Sequence, residues 1–194
     1  MTSISALEKI HKKGLYGNYE NKNENNLIKI CEIKKLLIIQ IVQYKSSSIK
    51  TDLTIDGISF PNESMKTNNN EDTRILWSGP KNWLLISKKK DLLKKTKEIL
   101  NEKDFAITDL SHSRAILSLT GANVKEVLKK GCPYNINELK KNNSVNSVFN
   151  GITVTIDILE ENPEQVRIYC LRSFGESLYH SITDACLEFG YKNI

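Results

Sequence analysis

Apolar residues recur along this chain mostly with the period of two that marks half-buried strands, and only in a few windows with the helical period. The first 26 residues offer one narrow stripe, Leu7 and Ile10, with Ser5 and Glu8 at capping-box spacing. This predicts a short helix followed by a polar tail, since GNYENKNENN has almost nothing to bury. From Leu27 to Tyr44 two β-rich runs, LIKICEI and LLIIQIVQY, are joined by Lys34 and Lys35, and a weaker strand follows at Leu53 to Ile55. Between Pro61 and Asp72 lies NESMKTNNNE, which predicts an exposed loop. After it, TRILWSG and NWLLIS flank the Gly79-Pro80 turn. Leu92, Leu93, Thr96, Ile99 and Leu100 then fall at helical spacing before a strand at Phe105 to Asp109.

The remainder repeats the theme. Ala115, Leu117 and Leu119 alternate, Gly121 turns the chain, and Val124, Val127 and Leu128 mark a helix ended by Gly131 and Pro133. SVNSVF and ITVTIDIL flank Asn150-Gly151, the dipeptide that supplies the positive φ angles of a type I′ hairpin turn. QVRIYCL leads to a last helix with Ser173 as its expected cap and Phe174, Leu178, Ile182, Ala185 and Phe189 on one face. Strands and helices interleave without the regular alternation of a doubly wound sheet. The predicted class is therefore α+β, antiparallel sheets with packed helices in split β-α-β-like halves. The expected organisation is an N-terminal helix and β-rich segment at 1–60, an exposed Asn-rich loop at 61–73 and a compact region at 74–194, together one integrated domain.

Composition changes the picture mainly by exclusion. Of 28 basic residues only four are Arg, against 23 acidic ones and a net charge of +5, so the basic balance lacks the guanidinium groups that favour nucleic-acid recognition. Four cysteines, Cys31, Cys132, Cys170 and Cys186, have neither a CxxC pairing nor a nearby His, so they suggest neither a metal site nor a short disulfide framework. The first residues lack the apolar stretch of a signal peptide, and the longest hydrophobic run is strand-sized. A cytoplasmic, reduced protein with no membrane and no nucleic-acid partner is expected.

The search for chemistry finds no GxGxxG, GxxxxGK[ST], GxSxG or HExxH, so no catalytic residue and no metal ligand is assigned. Asp109, Ser111, His112, Ser113 and Arg114 form a polar knot between two strands. It reads either as an anion or amide site or, more simply, as a turn whose Asp and Ser side chains cap backbone groups. Trp77 and Trp83 bracket one turn, where indoles stack on a flat heterocycle or serve as core bulk. Cys132 follows a helix C-terminus, whose dipole opposes thiolate formation. Lysines at Lys88 to Lys90 and at Lys94, Lys95 and Lys97 read as solvated charge.

Three blocks together, RILWSGPKNWLL (Arg74 to Leu85), DLSHSRAILSLTGANVKEVLKKGCP (Asp109 to Pro133) and RIYCLRSFGESLYHSI (Arg167 to Ile182), resemble the gamma subunits of heterotetrameric sarcosine oxidase. A looser form of the middle block resembles the folate-binding domain of glycine-cleavage aminomethyltransferases. The resemblance covers Arg74 to about Gly190, and residues 1–70 match only in general arrangement. It implies an enzyme of four different subunits that oxidatively demethylates sarcosine to glycine and passes the one-carbon unit to tetrahydrofolate. It further implies FAD, FMN, NAD and folate on the alpha and beta subunits and zinc on delta. The gamma subunit itself would be non-catalytic, without a cofactor of its own, and would pack most directly on alpha. The alternative is a free-standing folate-binding, aminomethyltransferase-like protein, with Trp77, Trp83, Asp109 and Arg114 as its pterin and glutamate contacts.

Overall fold

The computed structural model describes residues 5–20, 22–49 and 53–194. In chain order the strands and helices are β1 (Gly14–Tyr16), β2 (Ile28–Glu32), β3 (Leu37–Gln43), β4 (Thr54–Ile55), β5 (Ile58–Ser59), β6 (Thr67–Asn69), β7 (Thr73–Gly79), β8 (Asn82–Ser87), α1 (Leu92–Ile99), β9 (Phe105–Asp109), β10 (Arg114–Thr120), α2 (Val124–Lys129), β11 (Ser144–Phe149), β12 (Ile152–Glu161), β13 (Glu164–Leu171), α3 (Gly175–Cys186) and β14 (Tyr191–Asn193). The α+β class with antiparallel sheets is what the periodicity predicts. The division of the chain is not. It forms two compact units, Met1–Lys34 with Arg114–Ile194, and Lys35–Ser113. The expected boundaries at residues 60 and 73 fall inside the second unit, because strand pairing between distant segments, and not local composition, defines each unit.

The first unit holds a seven-stranded sheet in the order β1-β14-β2-β10-β13-β12-β11. All neighbours are antiparallel except β14 and β2. β11 and β12 are joined by the expected two-residue turn: Phe149 faces Ile152, and Asn150 and Gly151 have φ of +46° and +81°. α3 follows a 3₁₀ turn at Arg172–Phe174, so Ser173 lies in that turn and does not cap the helix. Phe174, assigned to the apolar face, is exposed, whereas Leu178, Ile182 and Ala185 are buried as expected. Lys130 ties α2 to the end of α3: its Nζ donates to the Ala185 carbonyl at 2.8 Å and to Glu188 at 2.9 Å.

The predicted N-terminal helix is a turn over residues 6–10 followed by β1. Ser5 is used as a cap of that turn, accepting from the Leu7 N–H at 3.1 Å, while its hydroxyl donates to Glu32. Leu7 is fully buried, and the polar stretch behind it is pinned by its backbone: β1 pairs with β14, and the Asn18 N–H donates to the Leu187 carbonyl at 2.8 Å. β14, which ends the same arrangement, is too short and polar to show in the pattern.

The second unit has a five-stranded sheet, β6-β7-β8-β3-β9, and a small β4-β5 hairpin. One face of the sheet, with Ile39, Ile41, Ile75 and Leu85, packs with Ile55, Phe60, Leu92, Leu100 and Phe105 into a core. The segment expected as an exposed loop contributes β6, which pairs with β7, and Thr67 there is buried. α1 buries Leu92 and Thr96 but leaves Ile99 47% exposed, so that residue is not part of its packed face. Thr96 is fully buried, and its Oγ1 has no hydrogen-bond partner. Removing an unsatisfied buried hydroxyl from a nearly isosteric site is favourable. Thr96→Val is expected to stabilise the protein by about 1 kcal/mol, read as a higher urea midpoint at unchanged m-value.

Candidate functional site

The four side chains singled out in the sequence divide between the units: Trp77, Trp83 and Asp109 belong to the second, Arg114 to the first. Trp77 and Trp83 face one another across β7 and β8. Trp83 is 3% exposed, meets Phe60 edge-on at 4.8 Å between ring centres, and donates its indole N–H to the Pro61 carbonyl at 2.8 Å. With its faces in the core and its one donor satisfied, Trp83 is core bulk. Trp77 is only partly buried, and its backbone N–H donates to the Lys66 carbonyl.

Asp109 ends β9 and organises the turn that follows. Its Oδ1 accepts from the Ser111 hydroxyl at 2.6 Å and from the Ser111 N–H at 2.9 Å, while Ser111 Oγ accepts from the Ile38 N–H at 3.0 Å. Ser113 Oγ donates to the Leu110 carbonyl at 3.0 Å. Burial opposes ionisation of Asp109, but the two Ser111 hydrogen bonds, with His112 and Lys90 nearby, outweigh it and hold the carboxyl below its ordinary range. This is the turn chemistry that Asp and Ser provide. His112 is exposed. Arg114 opens β10 opposite Leu171. Burial lowers its proton affinity and the neighbouring Cys170 opposes that, yet a guanidinium keeps its charge across the physiological range.

Three of the four cysteines, Cys132, Cys170 and Cys186, are buried, which disfavours thiolate chemistry. Burial pushes Cys170 up to about 11 and Cys186 up to about 12, with Arg114 and Lys130 respectively opposing the shift. Cys132 is buried with its sulfur 3.2 Å from Ser147 Oγ. Among the described residues no group of three His, Cys, Asp or Glu side chains is placed to hold a metal ion, and no helix is long and apolar enough to cross a membrane.

The densest polar cluster of the second unit was not read from the sequence. Asp56 sits at φ +54° in the β4-β5 turn. Its carboxylate accepts from Thr73 Oγ1 at 2.7 Å, Lys89 Nζ at 2.9 Å and Asn70 Nδ2 at 3.2 Å. Thr73 Oγ1 in turn lies 2.8 Å from Ser87 Oγ. The Asp56-Gly57 dipeptide is a turn signal that was available; the partners, Asn70, Thr73 and Lys89, lie 14 to 33 residues further along the chain. Burial disfavours the Asp56 anion, and the bonds from Thr73, Lys89 and Asn70 more than offset it, so its carboxyl titrates below the usual range. A depressed folded-state value means that the contribution to stability is present above the unfolded-state value and disappears as pH falls through the folded one. Asp56→Asn is therefore expected to cost about 1–3 kcal/mol at neutral pH and to lose part of the acid sensitivity of the wild type. Urea titrations at neutral and strongly acidic pH test this, and an equal cost at both would contradict it.

Comparison with known proteins matches these features to a family. The chain is 23% identical to a chain of heterotetrameric sarcosine oxidase from Corynebacterium sp. U-96, superposing with a TM-score of 0.81 over 96% of this chain and 95% of that one. Aminomethyltransferase T of the glycine cleavage system from Bartonella henselae shares the fold at a TM-score of 0.61 and 11% identity, over 82% of this chain and 46% of that one. The sarcosine oxidase subunit gamma of Corynebacterium sp. (strain P-1) is 30% identical over 122 residues, or 61% of this chain, and the match spans only 59% of that relative's length. Residues 55–188, which run through both units and include Trp77, Trp83, Asp109 and Arg114, match the model described as the sarcosine oxidase, gamma subunit family. With well over half of its residues inside that match, the chain belongs to the sarcosine oxidase gamma subunit family.

Proposed function

We propose that this chain is a non-catalytic assembly subunit of a heterotetrameric sarcosine oxidase, supporting oxidative demethylation of sarcosine to glycine with one-carbon transfer to tetrahydrofolate. The observation that carries the reading is the near end-to-end superposition on a chain of such an enzyme. The side chains with chemical potential fit it: Trp83 is spent on the core and Asp109 on a turn. In this reading FAD, FMN, NAD, tetrahydrofolate and zinc belong to the alpha, beta and delta partners, alpha is the main contact, and the complex works in the cytoplasm. The likeness to aminomethyltransferase T favours a second reading, a free-standing folate-binding protein.

Co-expression with the three partner subunits separates the two. The chain is expected to co-purify in a flavin-containing complex and, alone, to bind neither flavin nor tetrahydrofolate. Saturable tetrahydrofolate binding by the isolated chain, without complex formation, would establish the second reading instead. Arg114→Ala tests the structural role of the guanidinium. It should lower complex yield or stability by about 1–4 kcal/mol while turnover per bound flavin stays near the wild-type value. A large fall in turnover at unchanged yield would put Arg114 in an active site.

A further inference from the structure

The seven-stranded sheet has two unlike faces. On one, Ala115, Leu117, Val166 and Ile168 are buried, and Gly175 at the start of α3 lies against Ala115. On the other, where Ile116 and Tyr169 are also buried, the strand register lays out a row of polar side chains: Cys31 faces Ser118, Ser118 faces Arg167, Arg167 faces Asp157, and Asp157 faces Ser144; of these Ser118, Asp157 and Ser144 are buried.

An Arg and an Asp directly opposite in a sheet ordinarily pair. Here they do not. Arg167 Nε is buried without a hydrogen-bond partner, and no carboxylate among the described residues is ion-paired with Arg167, while Asp157, fully buried, is engaged elsewhere. The chain's other three arginines, Arg74, Arg114 and Arg172, all have interaction partners. A guanidinium with a buried, unsatisfied N–H carries a desolvation cost that a bound anion relieves. Its Nε and adjacent Nη form the edge that grips two oxygens of a carboxylate or phosphate. Arg167 as a whole is only partly buried, which leaves it reachable from solvent. Ser118 beside it offers a hydroxyl, and Lys29, two residues before Cys31 on the same face of β2, adds an ammonium-bearing side chain.

We propose that Arg167, with Ser118 and Lys29, forms a binding site for a compact oxyanion, a carboxylate or a phosphate, on the face of this sheet opposite Ala115 and Leu117. The test uses the full chain, with the Arg167 Nε–H followed by NMR and thermal stability measured in parallel. Inorganic phosphate and acetate are titrated separately at ionic strength held constant with sodium chloride. At least one probe should shift the Arg167 signal saturably and raise Tm, and which one does so identifies the anion class. Arg167→Met, read by Tm alone, should abolish the anion-dependent rise in stability while being at least as stable as the wild type in the absence of anion. Arg167→Lys, which loses the two-pronged grip, should weaken binding about tenfold. The proposal fails if neither probe shifts the signal, if sodium chloride alone reproduces the shift, or if the response survives Arg167→Met. Should that variant not fold, the wild-type titration alone decides.

Discussion

Gly190→Ala is expected to lower stability by about 3–5 kcal/mol, one of the largest effects of any single methyl in this protein. Gly190 follows α3 at φ +69°, and a Cβ there would lie 2.5 Å from the carbonyl oxygen of Asn18 and 2.8 Å from its carbonyl carbon. Both are backbone atoms, so no side-chain rotation relieves the contact. The approach is reciprocal: Gly17, at φ +71°, would place a Cβ 2.4 Å from the Leu187 carbonyl oxygen. Two glycines thus let the N-terminal segment and the turn after α3 touch backbone to backbone, close enough for the Asn18 N–H to reach Leu187. Gly57→Ala is the control, because Gly57 has a similar φ of +75° with nothing within 4 Å of an added Cβ. It should cost only the backbone term, about 1–2 kcal/mol. Urea denaturation of the two variants measures the difference. Equal costs would mean that the N-terminal segment does not pack as described.

Trp83→Ala is expected to cost about 3–5 kcal/mol, because it empties the site between Phe60 and the β7–β8 sheet and leaves the Pro61 carbonyl without its donor. Trp83→Phe separates the two effects. It keeps most of the apolar volume but loses the N–H, and should cost about 1–3 kcal/mol. A near-neutral Trp83→Ala would remove the indole from the core and return it to the set of candidate ligand contacts.

The β7–β8 and β11–β12 hairpins and the three helices are legible because each is specified within about one turn of its own sequence: Asn150-Gly151 between alternating runs, or apolar residues three and four apart. The segment misjudged has a different physics. NESMKTNNNE has few apolar groups, and composition alone predicts that it stays loose. Yet Asn70 Oδ1 accepts from the N–H groups of Asp72 and Thr73 while its Nδ2 donates to Asp56, so an Asn counted as loop filler ties a strand start to a distant turn. The Asp109–Ser111 bonds are local, of the kind that residue spacing makes legible, whereas the isolation of Arg167 depends on strands that meet only in the sheet.

The sequence by itself determined the α+β class, most strand and helix positions, and the blocks at Arg74, Asp109 and Arg167 that carry the family resemblance, since all of these reside in local pattern. Only the tertiary structure decided that Gly14–Tyr16 pairs with Tyr191–Asn193, that β2 and β3 join different sheets although two lysines and a short link separate them, and that Lys35–Ser113 forms its own unit. Those choices are made by backbone hydrogen bonds and close approaches between residues far apart in the chain. Such bonds depend on which segments meet and hardly at all on side-chain identity, except where a glycine is needed to let them meet.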